Sequence, residues 1–255
     1  MEVKYAALTD VGQKRPHNED NYLVDEKHRI YLVCDGMGGH EKGEVAAEIA
    51  VTRVKKFFED NEKDPHKTWP MVEKKDVPRL EQIFANAIQD ANWHIYMQSQ
   101  KGSGARKMGT TAVGLVVGDK SLVVAHVGDS RCYRIRDEKI EQITEDHSLL
   151  ADYIKHASLT EEEIKNFQYK NIILRALGMK KYVEVDTQQI QPKVGDIYLL
   201  CSDGLSGEVE DPQMLDIVMK YYNDLDAAVH ALIDAANEHG GRDNITTILV
   251  KVTDL

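Results

Sequence analysis

The chain has 255 residues, is 42% hydrophobic and 29% charged, and carries a formal net charge of −11. That length suffices for one large domain or two small ones, and that charge argues against nucleic acid and anionic membrane as main partners. The N-terminus has no basic-then-apolar leader pattern, no apolar run nears the roughly 18 residues of a membrane helix, and three scattered cysteines without a C-x-x-C (Cys34, Cys132 and Cys201) suit reduced thiols in a cytoplasmic setting.

In chain order, residues 3–9 read as a strand, "GQKRPHNED" as a polar loop, and "RIYLVCD" as a strand that stops at Asp35. Residues 44–58 place Val45, Ile49, Val54, Phe57 and Phe58 near helical spacing. A polar, proline-containing connection leads to a second helix. Asp76 is its expected N-cap, Pro78 lies in its first turn, and Leu80, Ile83, Phe84, Ala87, Ala91 and Ile95 share its apolar face. "QKGSGARK" reads as a loop.

The period then changes. Residues 110–144 read as strands broken at Gly118-Asp119-Lys120, Gly128-Asp129 and Asp137-Glu138, and turns this short predict antiparallel neighbours. Residues 145–170 are polar and partly helical, with a capping-box pattern at Thr160–Glu163. Strands return in "QQIQPKVGDIYLLCSDG", two helices are expected over 211–239, and "NITTILVKVT" closes as a strand. Strand clusters and helix pairs are segregated, which predicts an α+β fold with antiparallel sheets. No linker divides the chain, so residues 1–255 read as a single domain.

The glycines after Asp35 invite a nucleotide reading, which the residues reject. Counted from Gly36, the last position of G-x-G-x-x-G is Glu41. Glu44 and Val45 stand where a phosphate loop needs Lys and Ser/Thr. "GLSGE" only approximates a serine-nucleophile elbow. Four Asp residues remain at the ends of apolar strands: Asp35, Asp129, Asp203 and Asp243, with Glu19-Asp20 as a further acidic pair. Each alone is a good turn residue. Converging, they would repel unless a cation joined them, and oxygen donors at a strand rim suit Mg²⁺ or Mn²⁺. Isolated cysteines and the absence of an H-x-x-x-H pair argue against zinc.

"TDVGQKRPHNED", "VCDGMGGHEKGEVAAEIA", "MGTTAVGLVV", "AHVGDSRCYRI", "TEDHS", "NIILRALG", "YLLCSDGLSGEV" and "GGRDNITTILV" occur in that order over nearly the whole chain. By these motifs the chain resembles the metal-dependent protein serine/threonine phosphatases of type 2C, in their short bacterial form. The resemblance implies a four-layer αββα sandwich, two antiparallel sheets flanked by helix pairs, with a flap at about 145–170. It implies that Asp35 bridges two tightly bound Mn²⁺ or Mg²⁺ ions, that Asp203 and Asp243 hold one, and that the carbonyl of Gly36 holds the other, with Glu19 on its waters. Asp129, sharing Asp203, resembles the carboxylate of a weaker third ion. Arg15 resembles a phosphate-binding arginine and Asp20 a carboxylate that takes a proton from the attacking water.

The activity implied is hydrolysis of phosphoserine and phosphothreonine in proteins by a metal-bridging hydroxide, reversing a Ser/Thr kinase. The chain is expected to be a monomer. Met37 stands where many eukaryotic members have a histidine that is a candidate acid, and His40 is nearby. The alternatives are a catalytically inactive regulator that binds phosphoproteins and a small-molecule phosphatase of the same fold.

Overall fold

Successive side chains on a strand face opposite ways, so strands apolar at every position can separate two cores. In β3 (Ile30–Met37), Ile30, Leu32 and Cys34 enter one core while Tyr31 and Val33 enter another. The computed structural model describes residues 1–38, 42–64, 77–101, 108–156, 169 and 172–255.

One sheet runs β1 (Glu2–Asp10), β11 (Ile245–Asp254), β10 (Ile197–Cys201), β7 (Arg131–Arg136) and β8 (Lys139–Gln142) in spatial order. The other runs β2 (Asp20–Asp25), β3, β5 (Ala112–Val117), β6 (Leu122–Val127) and β9 (Asp186–Ile190), with β4 (Gly109–Thr110) paired to β3. The ladders are antiparallel.

Tyr31, Val33, Leu115, Cys132, Tyr198, Leu200, Ile248 and Val250 fill the space between the sheets. Helices α1 (Lys42–Lys63) and α2 (Arg79–Ser99) cover the second sheet through Ala46, Val54, Phe58, Phe84 and Ile95. Beyond a short α3 (Leu149–His156) and a single turn α4 (Asp203–Ser206), helices α5 (Asp211–Lys220) and α6 (Leu225–Glu238) cover the first sheet through Met214, Val218, Leu232 and Ala236. Each fully buried Leu, Ile, Val or Phe contributes about 1.5–3 kcal/mol. The expected four layers, helix pair, sheet, sheet, helix pair, are therefore present, held by three separate apolar interfaces.

Several local expectations are corrected. The Gly128-Asp129 turn does not join neighbours: β6 and β7 lie in different sheets, so this turn crosses the sandwich. The strand through Asp35 continues to Met37 because Gly36 and Met37 pair with β4. A strand, β2, begins at Asp20 inside what reads as loop. Val45 is 39% exposed, since α1 buries its alanines, Ala46, Ala47 and Ala50, against β3. The cap position of α2 is Pro78, with no side-chain cap bond. Asp76, His40, the capping box at 160–163 and most of "QKGSGARK" lie outside the described residues. The cysteines are free and buried, as expected.

Candidate metal centre

Strand ends from both sheets meet at one edge of the sandwich. Asp35, two residues before the end of β3, pairs with Asp20 at the start of β2. Asp203 follows β10, Asp129 sits in the β6–β7 crossing, and Asp243 precedes β11. Asp35 and Asp203 are close enough to share a hydrogen bond. The local chain is pinned by hydroxyls. Thr111 Oγ1 accepts from the Asp35 N–H at 3.0 Å and contacts Ser130 Oγ at 2.7 Å, while Thr110 Oγ1 donates to the Asp35 carbonyl at 2.8 Å.

Burial, then mutual repulsion, pushes these acids upward. The Asp35 carboxyl lies well above the ordinary carboxylate range, raised by burial and by Asp20, Asp203 and Asp129. Burial raises Asp203, with Asp243 adding to it. Asp129 is pushed up to about 7 by burial and Asp203. Asp20 also reaches about 7; burial dominates, and the hydroxyls of Thr246 and Ser202, donating to Oδ2 at 2.7 and 2.8 Å, oppose it. Burial likewise raises Glu19. Arg15 is half-exposed, and its Nη2 donates to Asp243 Oδ2 at 2.6 Å.

The donor set can be tested against a divalent cation. Among the described residues six buried side-chain polar atoms lack a hydrogen-bond partner, and two are Asp129 Oδ1 and Asp203 Oδ1. Buried polar atoms are rarely left so. A Cβ on Gly43 would stand 2.6 Å from Glu19 Oε2 and 2.7 Å from the Gly36 carbonyl oxygen. The missing side chain keeps open the space on which those two oxygens converge. Gly36 is required for a different reason than room for a ligand: its Cβ would lie 2.3 Å from the carbonyl oxygens of Glu19 and Gly43. Two unpartnered carboxylate oxygens, and a carboxylate and a carbonyl oxygen facing one gap, fit a hard divalent cation.

Sequence reasoning missed the residues that hold this rim. Asn244, nearly fully buried, accepts from the Glu19 N–H at 2.8 Å and donates at 2.9 Å to the carbonyls of Val11 and His17. It ties the loop carrying Arg15 and Glu19 to the start of β11. Its only signal is an amide directly after Asp243. Gly43, Ser202, Thr246 and Thr111 were equally silent. The histidine of "TEDHS", His147, is drawn down to about 4 by burial, by His126 and by Arg175.

A six-acid rim at the edge of a four-layer sandwich is an oxygen donor set for divalent cations. The family model for protein phosphatase 2C matches residues 13–249. The serine/threonine phosphatase stp of Listeria innocua serovar 6a is 38% identical over 246 residues, 95% of this chain and 93% of that one. Protein phosphatase PhpP of Streptococcus pneumoniae is 35% identical, covering 99% and 98%. Among solved structures, the catalytic domain of the serine threonine protein phosphatase PstP in complex with two manganese ions superposes with a TM-score of 0.81 at 30% identity, covering 99% of each chain. The chain belongs to the protein phosphatase 2C family of metal-dependent hydrolases.

Proposed function

We propose that this chain, a metal-dependent protein serine/threonine phosphatase, uses the acidic rim as its catalytic centre within a single domain spanning residues 1–255. Asp35 would bridge two tightly held Mn²⁺ or Mg²⁺ ions, with Asp203 and Asp243 on one and the Gly36 carbonyl and Glu19 on the other. Asp129, with Asp203 shared, would hold a third more weakly. Such cations supply Lewis acidity, acidifying water and offsetting phosphoryl charge.

The chain's own groups do the rest. Arg15 offers a planar fork to two phosphate oxygens once Asp243 is engaged elsewhere, and its half-exposed position lets it turn to substrate. Water attacks phosphorus as it gives up a proton, the bond from phosphorus to the seryl or threonyl oxygen breaks without a covalent enzyme intermediate, and the leaving oxygen takes up a proton to become the free hydroxyl. Asp20, with Oδ2 held by two hydroxyls, would use its remaining oxygen, Oδ1, to accept the water's proton. Residues 145–170 would act as a flap that selects protein substrates. The exposed α3 belongs to it, and pairing of Ser148 with Ile173 closes its base.

Phosphorylated proteins are the substrates, and reversal of a Ser/Thr kinase by a cytoplasmic monomer is the setting we infer. An inactive phosphoprotein-binding role is not favoured, because Asp35, Asp129, Asp203 and Asp243 are all present. The carrying observation is the meeting of six acids at one edge, two of them, Asp129 and Asp203, with a buried oxygen that has no partner. The deciding experiment is turnover of phosphoserine peptides against phosphorylated metabolites with and without Mn²⁺. Full peptide turnover in excess chelator would defeat the reading, and a preference for metabolites would redirect it.

A further inference from the structure

Outside the rim, three side chains of metal-ligand type meet. His126 on β6, His147 in the β8–α3 loop and Asp186 at the start of β9 place one candidate donor atom each within 4.8 Å of the others, and the two imidazoles stack at 4.5 Å. His126 alone is set up as a ligand: its Nε2 donates to the Glu145 carbonyl at 2.8 Å, which leaves Nδ1 unprotonated. His147 is not. The Gly128 N–H donates to its Nδ1 at 3.1 Å, so the ring proton sits on Nε2, which faces Asp186 Oδ2 at 3.3 Å. Arg175 Nη1, 3.1 Å from that Nε2 and 2.5 Å from Asp186 Oδ1, already supplies the positive charge. A protonated nitrogen beside a resident guanidinium is a poor place for a metal ion.

The same contacts serve another purpose. His147 grips Gly128 twice: its ring accepts from the Gly128 N–H, and its main-chain N–H donates to the Gly128 carbonyl at 2.9 Å. Gly128 has φ +113°, and a Cβ there would stand 2.6 Å from Thr111 Cγ2, so the clasped residue can only be glycine. The next residue is Asp129, with its buried, unpartnered Oδ1. On its other side the His147 carbonyl accepts from the Leu174 N–H at 2.7 Å, and the Leu149 N–H donates to Ile172 at 2.8 Å. His147 therefore stands between the base of the flap and a rim carboxylate.

We propose that His147 is a positioning residue that clasps both polar groups of Gly128 and thereby holds the Asp129 carboxylate in the rim, with Asp186 fixing its tautomer and Arg175, paired to Asp186, tying it to the flap base. This rests on the reading of Asp129 as a ligand of the weaker cation.

The test is Mn²⁺ calorimetry on the full chain, comparing wild type with His147→Leu, His147→Asn, His147→Gln and Asp129→Ala. Loss of an outer partner of a metal ligand weakens affinity about 10- to 100-fold. His147→Leu is expected to weaken the weaker class of sites by that factor and leave the tight class unchanged. Asn, whose Oδ1 takes the place of Nδ1, restores it; Gln, whose amide reaches the place of Nε2, does not. If Asp129→Ala loses the weaker class while His147→Leu keeps it, the positioning role is overturned and the Asp129 reading stands. If wild type shows no weaker class, or Asp129→Ala retains it, the Asp129 reading falls and takes this proposal with it. Should His147→Leu fail to fold, the Asn and Gln pair decides: equal affinities overturn the clasp.

Discussion

Strand β10 carries an acidic residue just beyond each end, and the two could hardly differ more. Asp196, before it, is 1% exposed and fully satisfied. It takes Arg136 at 2.7 and 2.6 Å, the Lys193 N–H at 2.8 Å and the Tyr198 hydroxyl at 3.2 Å. Burial pushes its carboxyl up, yet those donors outweigh burial and hold it below the ordinary range. Asp203, after the strand, sits half-buried among other acids with its buried Oδ1 unpartnered, and its carboxyl is raised. One carboxylate is answered by its own chain and stabilises the fold. The other has no donor for Oδ1, and its burial and its repulsion with Asp243 weigh against the fold. Buried acids of the second kind are where function is to be sought.

The contrast is broken most severely at Asp35. Asp35→Asn removes a charge the metal-free fold does not want. Peptide hydrolysis should fall by more than about 100-fold, beyond what loss of an outer-shell partner produces. The melting temperature in chelator should hold or rise, and the Mn²⁺-induced gain should vanish. A mutant that keeps both turnover and the Mn²⁺ gain would remove Asp35 from the centre.

At the other end of the strand the signs reverse. Asp196→Ala strands the Arg136 guanidinium and should lower stability by about 3 kcal/mol, roughly 10 °C at this chain length, while kcat of the folded protein stays. Thermal unfolding and initial rates measured together separate the two ends; a stable Asp196→Ala would show that the pairing contributes little.

Arg15 sharpens the picture at the rim. Arg15→Ala and Arg15→Lys should each raise KM for phosphopeptides about tenfold, since an ammonium offers a point charge where a fork is needed. Lysine performing like arginine would reduce Arg15 to a surface charge.

The smallest effect is in pH. In the metal-free protein Asp20 and Asp129 hold protons up to about 7, whereas the unfolded chain releases them near pH 4. The fold binds more protons than the unfolded chain in that window, so its stability falls as pH rises from about 4 to 7. Asp196 has the opposite sign: its contribution is present above about pH 4 and is lost as pH falls below. Melting temperature in chelator should decline by a few degrees from pH 5 to 8, and Mn²⁺ should flatten that decline. Parallel curves with and without Mn²⁺ would mean the acids are not ionised by the metal.

Much of the rim was legible because its acids share a local signature, a carboxylate ending an apolar strand, seen at "LVCDG", "HVGDS" and "LLCSDG". The residues that support it carry no such mark. Asn244 reads as a turn residue until its amide is seen spanning Glu19, Val11 and His17. His147, Asp186 and Arg175 come from a loop, a strand start and the segment after the flap, and nothing in their spacing joins them.

Local pattern determined most of the strands, the two helix pairs and their segregation, though not β2, because hydrophobic alternation and turn composition are properties of neighbouring residues. Tertiary pairing alone decided that β6 and β7 part into different sheets, which delivers Asp129 to the edge where Asp35, Asp203 and Asp243 already lie. It also decided which carboxylate oxygens find donors and which do not, since that depends on groups up to 228 positions apart, as Arg15 and Asp243 are.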